Sequence, residues 1–220
     1  MPTFTLISTI LEEKGLCNAS RLHEILERVR PEVIFMEIPP ASFERVFKDE
    51  SNLESRAVKR YMETHDARAE PVDIMEASSE LVAESHRLCR ELRARSSDYC
   101  QLMNADSQCI EKYGFSYLNS KYCVDHWLKV DLATKEALER IRNAELSRGY
   151  KDWNDIHEHR EQEMMKNIQH YAEAHSFNTV ILLLGAAHRR AIMDKAASLF
   201  AGSPVTVDWN FGEYEGLICL

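Results

Sequence analysis

Three apolar runs of strand length each end at polar residues of the kind that carry chemistry, and this pattern constrains the fold more than any other feature of the chain. In an open parallel α/β sheet the ligand crevice lies outside the carboxyl ends of the strands, so residues far apart in sequence can meet there. The pattern therefore predicts a site at one edge of such a sheet. The runs and their terminal residues are 6–11 before Glu12 and Glu13, 33–36 before Glu37, and 180–184 before Gly185, Ala186, Ala187 and His188.

The first part of the chain is predicted to form a β-α-β unit. Residues 4–11 have the pattern of a strand, and Asn18 can cap a helix over residues 19–30, whose apolar positions recur at helical spacing. Residues 33–36 are a continuous apolar run, which is typical of a strand buried on both faces. Such a unit implies a right-handed crossover and a parallel pair of strands.

The rest of the chain predicts a single α/β domain over residues 1–220, with a mainly parallel central sheet, flanking helices and one large helical insertion. The insertion, residues 78–176, separates the third strand from the fourth and would cap one end of the sheet. We expect breaks in it near Ser96, over residues 114–119 and near Gly149. The other predicted elements are a helix over 50–64 and strands over 70–75, 179–184, 205–209 and 217–220.

Composition excludes several classes of function. The net charge is -9, from 27 Lys and Arg against 36 Asp and Glu, so the chain would repel nucleic acid, whose phosphates supply most of the non-specific affinity for proteins. No apolar stretch approaches the roughly 20 residues that span a bilayer, and the N-terminus has no secretory pattern. The 6 cysteines include no CxxC pair, and we expect reduced thiols. We therefore expect a cytoplasmic protein that binds neither nucleic acid nor membranes.

His188 lies four positions after the apolar run 180–184, on a turn that contains Gly185 and begins a helix. One interpretation is a general base or a metal ligand, held at a helix start whose dipole disfavours the imidazolium and keeps the ring neutral. The other is a helix-terminal histidine that faces solvent. Placement alone supports both.

Carboxylates mark the ends of the other strands. Glu37 directly follows residues 33–36, where partial desolvation would raise its pKa and suit it to proton transfer or, if paired, to a cation. Backbone N–H groups could satisfy this carboxylate instead. Glu12 and Glu13 are adjacent, so one would face the crevice and the other solvent if the strand continues. Asp73 is a further candidate at the end of the third strand.

A segment rich in histidine and acidic residues, 157–164, lies in a predicted helix of the insertion. Positions i and i+4 share a helix face, so His157 can meet Glu161 and Arg160 can meet Met164. Composition alone predicts a solvated helix with ion pairs.

Together these segments resemble the TraB/TIKI/ChaN-like superfamily, which includes the erythromycin esterases. Glu37 matches its acid at the end of the second strand, residues 160–164 (Arg-Glu-Gln-Glu-Met) match its Arg-acid-x-x-Met motif, and residues 185–188 (Gly-Ala-Ala-His) match its Gly-x-x-His motif. One departure is Leu11, which stands where the family has its first histidine. Leucine neither ligates a metal nor accepts a proton, and loss of a positioned acid or base commonly costs about 10²- to 10⁴-fold in rate.

The resemblance implies a site at the strand ends, in a family of metal-dependent peptidases, esterases that activate water with histidine and glutamate, and haem-iron binding proteins. For this chain it implies that His188 activates water or binds a divalent metal such as Mn, Co, Zn or Fe, with Glu37 as acid/base or second ligand. Arg160 would stabilise developing negative charge or orient Glu37. The remaining residues of the implied site are Glu12, Glu161 and Gly185.

Three functional hypotheses remain open. The first is a hydrolase that cleaves an ester or amide bond in a small-molecule or peptide substrate. The second is a catalytically inactive member that binds a small molecule, a metal or haem and lost activity with the histidine at position 11. The third is an oligomeric structural protein whose insertion is an interface, and a homodimer is a common state for soluble proteins of this kind.

Overall fold

A five-stranded parallel sheet forms the centre of the computed structural model, which describes residues 1–75, 78–200, 203 and 205–212. The strand order is β3-β2-β4-β1-β5, and each neighbouring pair is parallel. Helices flank the sheet, so the predicted α/β fold with a parallel central sheet is confirmed. The strands are β1 Thr3–Thr9, β2 Val33–Met36, β3 Arg68–Pro71, β4 Thr179–Gly185 and β5 Asp208–Asn210.

The first two strands are parallel, as predicted, but they do not pair with each other. β4 lies between them and pairs with β1 over seven residues, from Thr3 opposite Thr179 to Thr9 opposite Gly185. It also pairs with β2 over four residues. Its five central residues are all buried, which is why this apolar run takes the middle of the sheet. The register brings the carboxyl ends of β1, β2 and β4 together at one edge.

Several strand boundaries differ from the prediction. β1 ends at Thr9, because the backbone carbonyl of Leu11 accepts a hydrogen bond from the Leu53 N–H and the chain has already left the sheet. Leu11 is 69% exposed. β3 begins two residues earlier than predicted, and β5 begins at Asp208 instead of residue 205. The strand predicted over 217–220 lies outside the described residues.

The helices follow the prediction in the first half of the chain, with one addition. Asn18 caps α1 through its side chain, and the buried face of α1 contains Leu22, Ile25 and Leu26. A helix over Pro40–Asp49 was not predicted. The helices are α1 Ala19–Val29, α2 Pro40–Asp49, α3 Leu53–Met62, α4 Ser79–Arg95, α5 Ser97–Tyr113, α6 Phe115–Leu118, α7 Lys121–Ile141, α8 Ala144–Ala174 and α9 Arg189–Leu199.

The helical insertion between β3 and β4 contains α4 to α8. Its predicted breaks at Ser96 and Gly114 are confirmed, but the break predicted near Gly149 is wrong. α8 runs through Gly149, where an added Cβ would have nothing within 4 Å. The chain breaks instead at Arg142, which has a left-handed backbone, and Asn143 caps α8. None of the described helices is both long and apolar enough to cross a membrane.

Apolar side chains pack on both faces of the sheet and within the insertion. One cluster contains Ile7, Ile34 and Ile181 and packs beneath α1 and α3. The opposite face carries a cluster that includes Phe4 and residues of α8 and α9. A third cluster lies among α4, α5, α7 and α8. The long helix α8 therefore joins the insertion to the sheet, next to the strand ends.

Candidate functional site

The side chain of His188 is buried between two carboxylates. β4 ends at Gly185, and a 3₁₀ turn over Ala186–His188 leads directly into α9. His188 is 3% exposed. Its Nδ1 lies 2.8 Å from Glu161 Oε1, and its Nε2 lies 3.1 Å from Glu37 Oε1. Both ring nitrogens therefore have an acidic partner, from α8 on one side and from the end of β2 on the other.

Glu37 is held by three donors from different parts of the fold. Its Oε2 accepts the backbone N–H of Gly185 at 2.7 Å, and its Oε1 accepts Arg160 Nη2 at 2.7 Å in addition to His188. Arg160 lies on α8 and also donates to both oxygens of Asp73, from Nε at 3.1 Å and from Nη2 at 2.6 Å. The Arg160 guanidinium therefore links two carboxylates, Glu37 after β2 and Asp73 after β3.

These contacts form a chain of alternating charges across the strand ends, which we call the ion network. At one end the guanidinium joins two acids, and at the other Lys195 of α9 donates to Glu161 Oε2 at 3.0 Å. With His188 protonated, the network contains three cations and three anions. Burying charges costs solvation free energy, and pairing each charge with an opposite one offsets that cost. The members in order are Asp73, Arg160, Glu37, His188, Glu161 and Lys195.

The ion network reverses two predicted protonation states. Burial favours the neutral ring of His188, but hydrogen bonds to Glu161 and Glu37 outweigh it and raise the pKa of His188 to about 9. Burial likewise favours the protonated form of Glu37, but the hydrogen bond and charge of His188, with Arg160, hold the pKa of Glu37 at about 2. The predictions of a neutral histidine and a raised glutamate pKa are wrong, since a helix dipole contributes about 1 kcal/mol or less and two direct carboxylate contacts exceed it.

His157 lies one helical turn before Glu161 and stacks on His188, with ring centroids 4.6 Å apart and planes inclined by 24°. Burial and, after it, the positive charge of His188 lower the pKa of His157 to about 4. The ring is therefore neutral at physiological pH. Its buried Nε2 has no hydrogen-bond partner among the described residues. A neutral and a cationic imidazole thus lie in contact.

Glu12 and Leu11 do not join the site. Both side chains are exposed, because β1 ends before them. The neighbouring Glu13 accepts the Ala19 N–H at 2.9 Å and pairs with Arg56 at 3.1 Å, so it serves the start of α1. The prediction that Glu12 completes the crevice is wrong, since the strand stops two residues short of the predicted end.

A buried carboxyl that the sequence did not single out, Glu54, occupies the end of β1 instead. The Thr9 hydroxyl donates to Glu54 Oε1, and Thr9 pairs in register with Gly185. Glu54 is 3% exposed, and burial chiefly raises its pKa to about 7, with a further contribution from the charge of Glu37. Acidic residues are common in the first turn of a helix, where they interact favourably with the helix dipole. The position of Glu54 in the sequence therefore does not indicate that it is buried.

Replacing Glu54 by glutamine is expected to stabilise the protein above neutral pH. The folded pKa lies above the ordinary 4.5, so the stabilisation linked to the protonated acid is present below pH 4.5 and is lost as the pH rises through 7. Glutamine still accepts the Thr9 hydroxyl but cannot ionise, so we expect a gain of roughly 2 to 3 kcal/mol at about pH 8 and little at about pH 4. Urea unfolding at both pH values measures this, and an equal effect at both would contradict the raised pKa.

A cavity of about 610 Å³ opens between the insertion and the start of α9, and we call it the insertion cavity. It touches the ion network at Glu161, and the adjacent wall is formed by His157 and Ala186. Nothing in the sequence pattern predicted it. Representative lining residues are Leu92, Trp127, Val130, Trp153, His157 and Ala191.

The predicted metal pair, His188 and Glu37, does not fit a divalent metal in this arrangement. A histidine binds a metal through the lone pair of a ring nitrogen, and both ring nitrogens of His188 are engaged by carboxylates. Within the described ranges, no group of three or more His, Cys, Asp or Glu side chains is arranged to hold a metal ion. In this arrangement His188 and Glu37 form an ion pair with each other instead.

Comparisons of this chain with family models, curated proteins and solved structures found no match. The resemblance to the TraB/TIKI/ChaN-like superfamily therefore stays a prediction, which rests on the motifs at Glu37, 160–164 and 185–188. The geometry of these segments supplies the argument for function.

Proposed function

We propose that this protein is a small-molecule binding protein that retains a hydrolase-like arrangement of residues. The observation that carries the proposal is the geometry of His188, whose two ring nitrogens lie 2.8 Å and 3.1 Å from carboxylates. These contacts favour the imidazolium and raise the pKa of His188 to about 9. An imidazolium has no lone pair with which to take a proton from water or to ligate a metal.

The insertion cavity is the place we assign to the ligand. Its volume of about 610 Å³ lies within the range of roughly 300 to 1,000 Å³ that small-molecule sites occupy. Its wall is largely apolar and ends at polar groups of the site, His157 and Glu161. Pockets of that kind bury the body of a ligand in apolar surroundings and orient it with a few polar contacts.

The setting we infer is a reducing compartment such as the cytoplasm. The cysteines within the described ranges are free thiols, which supports this inference. They are Cys17, Cys89, Cys100, Cys109 and Cys123.

A thermal-shift screen of small molecules tests the proposal, with the wild type and Ala191→Trp compared side by side. Ala191 lines the insertion cavity on the first turn of α9, so tryptophan there would fill part of it. We expect ligands that raise the melting temperature of the wild type and not of the variant. Circular dichroism of the variant checks that it folds. Ligands that stabilise both proteins equally would place binding elsewhere and contradict the proposal.

A second candidate function is metal-free hydrolysis, and one observation favours it. Glu54 of α3 has a pKa of about 7 and contacts Thr9 at the end of β1, while His188, which follows the adjoining β4, has a pKa of about 9. Neighbouring groups with separated pKa values are a common arrangement of a base and an acid. Here the Glu54 carboxylate would accept a proton from water, and the His188 imidazolium would donate one to the leaving group. Arg160 and Glu37 would hold that imidazolium in place.

Hydrolysis by the wild type discriminates between the two candidates. Under the binding proposal we expect no turnover of a panel of chromogenic esters and amides. Under the second candidate the wild type hydrolyses a substrate of the panel, and Glu54→Gln abolishes that activity because an amide cannot accept the proton. Leu11→His is the control, since residue 11 is exposed and outside the site, and it should gain neither hydrolysis nor stoichiometric Mn, Co, Zn or Fe by plasma mass spectrometry. Wild-type hydrolysis that is lost in Glu54→Gln would overturn the binding proposal.

A further inference from the structure

The insertion cavity has a wall rich in aromatic rings. Trp127 of α7 and Trp153 of α8 both line it, as do Tyr99 and Tyr150. Aliphatic side chains such as Leu92 complete the apolar part. Aromatic faces carry negative partial charge and attract cations within about 6 Å, most strongly when the cation is shielded from water. The lining therefore accommodates an apolar body and favours a positive group.

The charged residues of the cavity wall also favour a positively charged ligand. Among the described residues, four carboxylates and the guanidinium of Arg190 line the cavity. Three of these acids are paired with a cation: Asp194 with Arg190 at 3.7 Å, Glu161 with Lys195 at 3.0 Å, and Asp131 with Lys135 at 2.6 Å. Glu158 accepts a hydrogen bond from the neutral Gln162 and has no cation partner among the described residues. The uncompensated charge of the wall is therefore negative and belongs to Glu158. The carboxylates belong to Asp131, Glu158, Glu161 and Asp194.

We propose that the insertion cavity binds an organic cation, an amine with an aromatic or aliphatic body, whose ammonium group lies near Glu158. This inference rests on the proposed function and names its ligand class. The apolar body packs against Trp127 and Trp153, and the positive group meets the acidic part of the wall. Carboxylate ligands such as fatty acids are disfavoured by the uncompensated charge of Glu158.

Three probes of matched shape test the inference: 4-phenylbutylamine, 4-phenylbutan-1-ol and 4-phenylbutanoate. Isothermal titration calorimetry gives their affinities. Tryptophan fluorescence of a Trp209→Phe variant, which leaves Trp127 and Trp153 as the emitting residues, reports whether they reach the cavity. We expect the amine to bind roughly tenfold more tightly than the alcohol, and the carboxylate to bind most weakly. Binding of the alcohol as tight as that of the amine would overturn the inference and leave the proposed function standing.

Charge variants on α8 give a matched control. Glu158→Gln removes a carboxylate of the wall and should weaken amine binding about threefold to tenfold without changing alcohol binding. Glu163→Gln removes a carboxylate of the same helix that does not line the cavity, and it should change neither. Equal effects of the two variants would overturn the inference. If no probe binds the wild type at any soluble concentration, the inference and the proposed function both fall.

Discussion

Replacing His188 by alanine is expected to lower the free energy of unfolding by roughly 3 to 5 kcal/mol, the cost typical of removing one partner from a buried ion pair. The variant leaves Glu37 and Glu161 facing a cavity, each with only one of its cationic partners, Arg160 or Lys195. Urea unfolding followed by circular dichroism measures the loss. The control is His86→Ala, which removes an exposed histidine from α4 and should change stability by less than about 0.5 kcal/mol.

The pH dependence of this loss tests the protonation of His188 directly. Its folded pKa of about 9 lies above the ordinary 6.5, so the linked stabilisation is present in full below pH 6.5 and is lost as the pH rises through 9. The pKa of Glu37 is shifted in the opposite direction, to about 2. The stabilisation linked to its carboxylate is present in full above pH 4.5 and is lost as the pH falls through about 2. His188→Ala should therefore cost most between pH 4.5 and 6.5 and clearly less at about pH 10. The same cost at both pH values would show that the folded ring is neutral.

The sheet and the meeting of the strand ends could be predicted from the sequence because continuous apolar runs are a strong local signal. Residues 33–36 and 179–184 are strands as predicted, and the polar groups that follow them, Glu37 and His188, are in contact. The end of β1 could not be predicted as well. Leu11 is apolar and fits a strand pattern, yet it is exposed where the chain turns toward α3.

The charge states of the site could not be predicted because the groups that set them come from distant segments. Glu37 and Arg160 are separated by 123 positions. The hydrogen bond that does most to raise the pKa of His188 comes from Glu161, on a different helix. Local reasoning from burial and the helix dipole therefore gave the wrong sign for both His188 and Glu37. The motif 160–164 indicated that its residues belong to the site, but not which atoms they would contact.

Burial of Glu54 and the insertion cavity depend on how helices pack, which periodicity does not specify. Glu54 lies two positions after the capping residue Asn52, as many solvated acids do, and the position of α3 against Thr9 buries it. The insertion helices were predicted as helices, but a cavity forms only where their large side chains fail to meet. The sequence pattern around Trp127 and Trp153 would be the same whether these side chains filled a core or lined a cavity.

Replacing Arg160 by methionine is expected to destabilise the fold by a similar amount, roughly 3 to 5 kcal/mol. Asp73, whose side chain is 2% exposed, would lose both of its hydrogen bonds to the guanidinium, and Glu37 would lose one of its two cations. Arg160→Lys should recover only part of the loss, because an ammonium group cannot reproduce the two-pronged contact with Asp73 while reaching Glu37. Chemical unfolding of both variants at neutral pH gives the two values.

A double-mutant cycle identifies the origin of the loss. If the cost comes from leaving Asp73 buried without a cation, Asp73→Asn combined with Arg160→Met should be more stable than the sum of the single effects predicts, by at least about 1 kcal/mol. Additive effects would mean that Arg160 stabilises the fold through packing of its aliphatic stem instead. Because Arg160 does not line the insertion cavity, folded Arg160→Met should still bind 4-phenylbutylamine with little change. Intact binding beside a large loss of stability would assign the ion network to holding the strand ends together and the cavity to recognising the ligand.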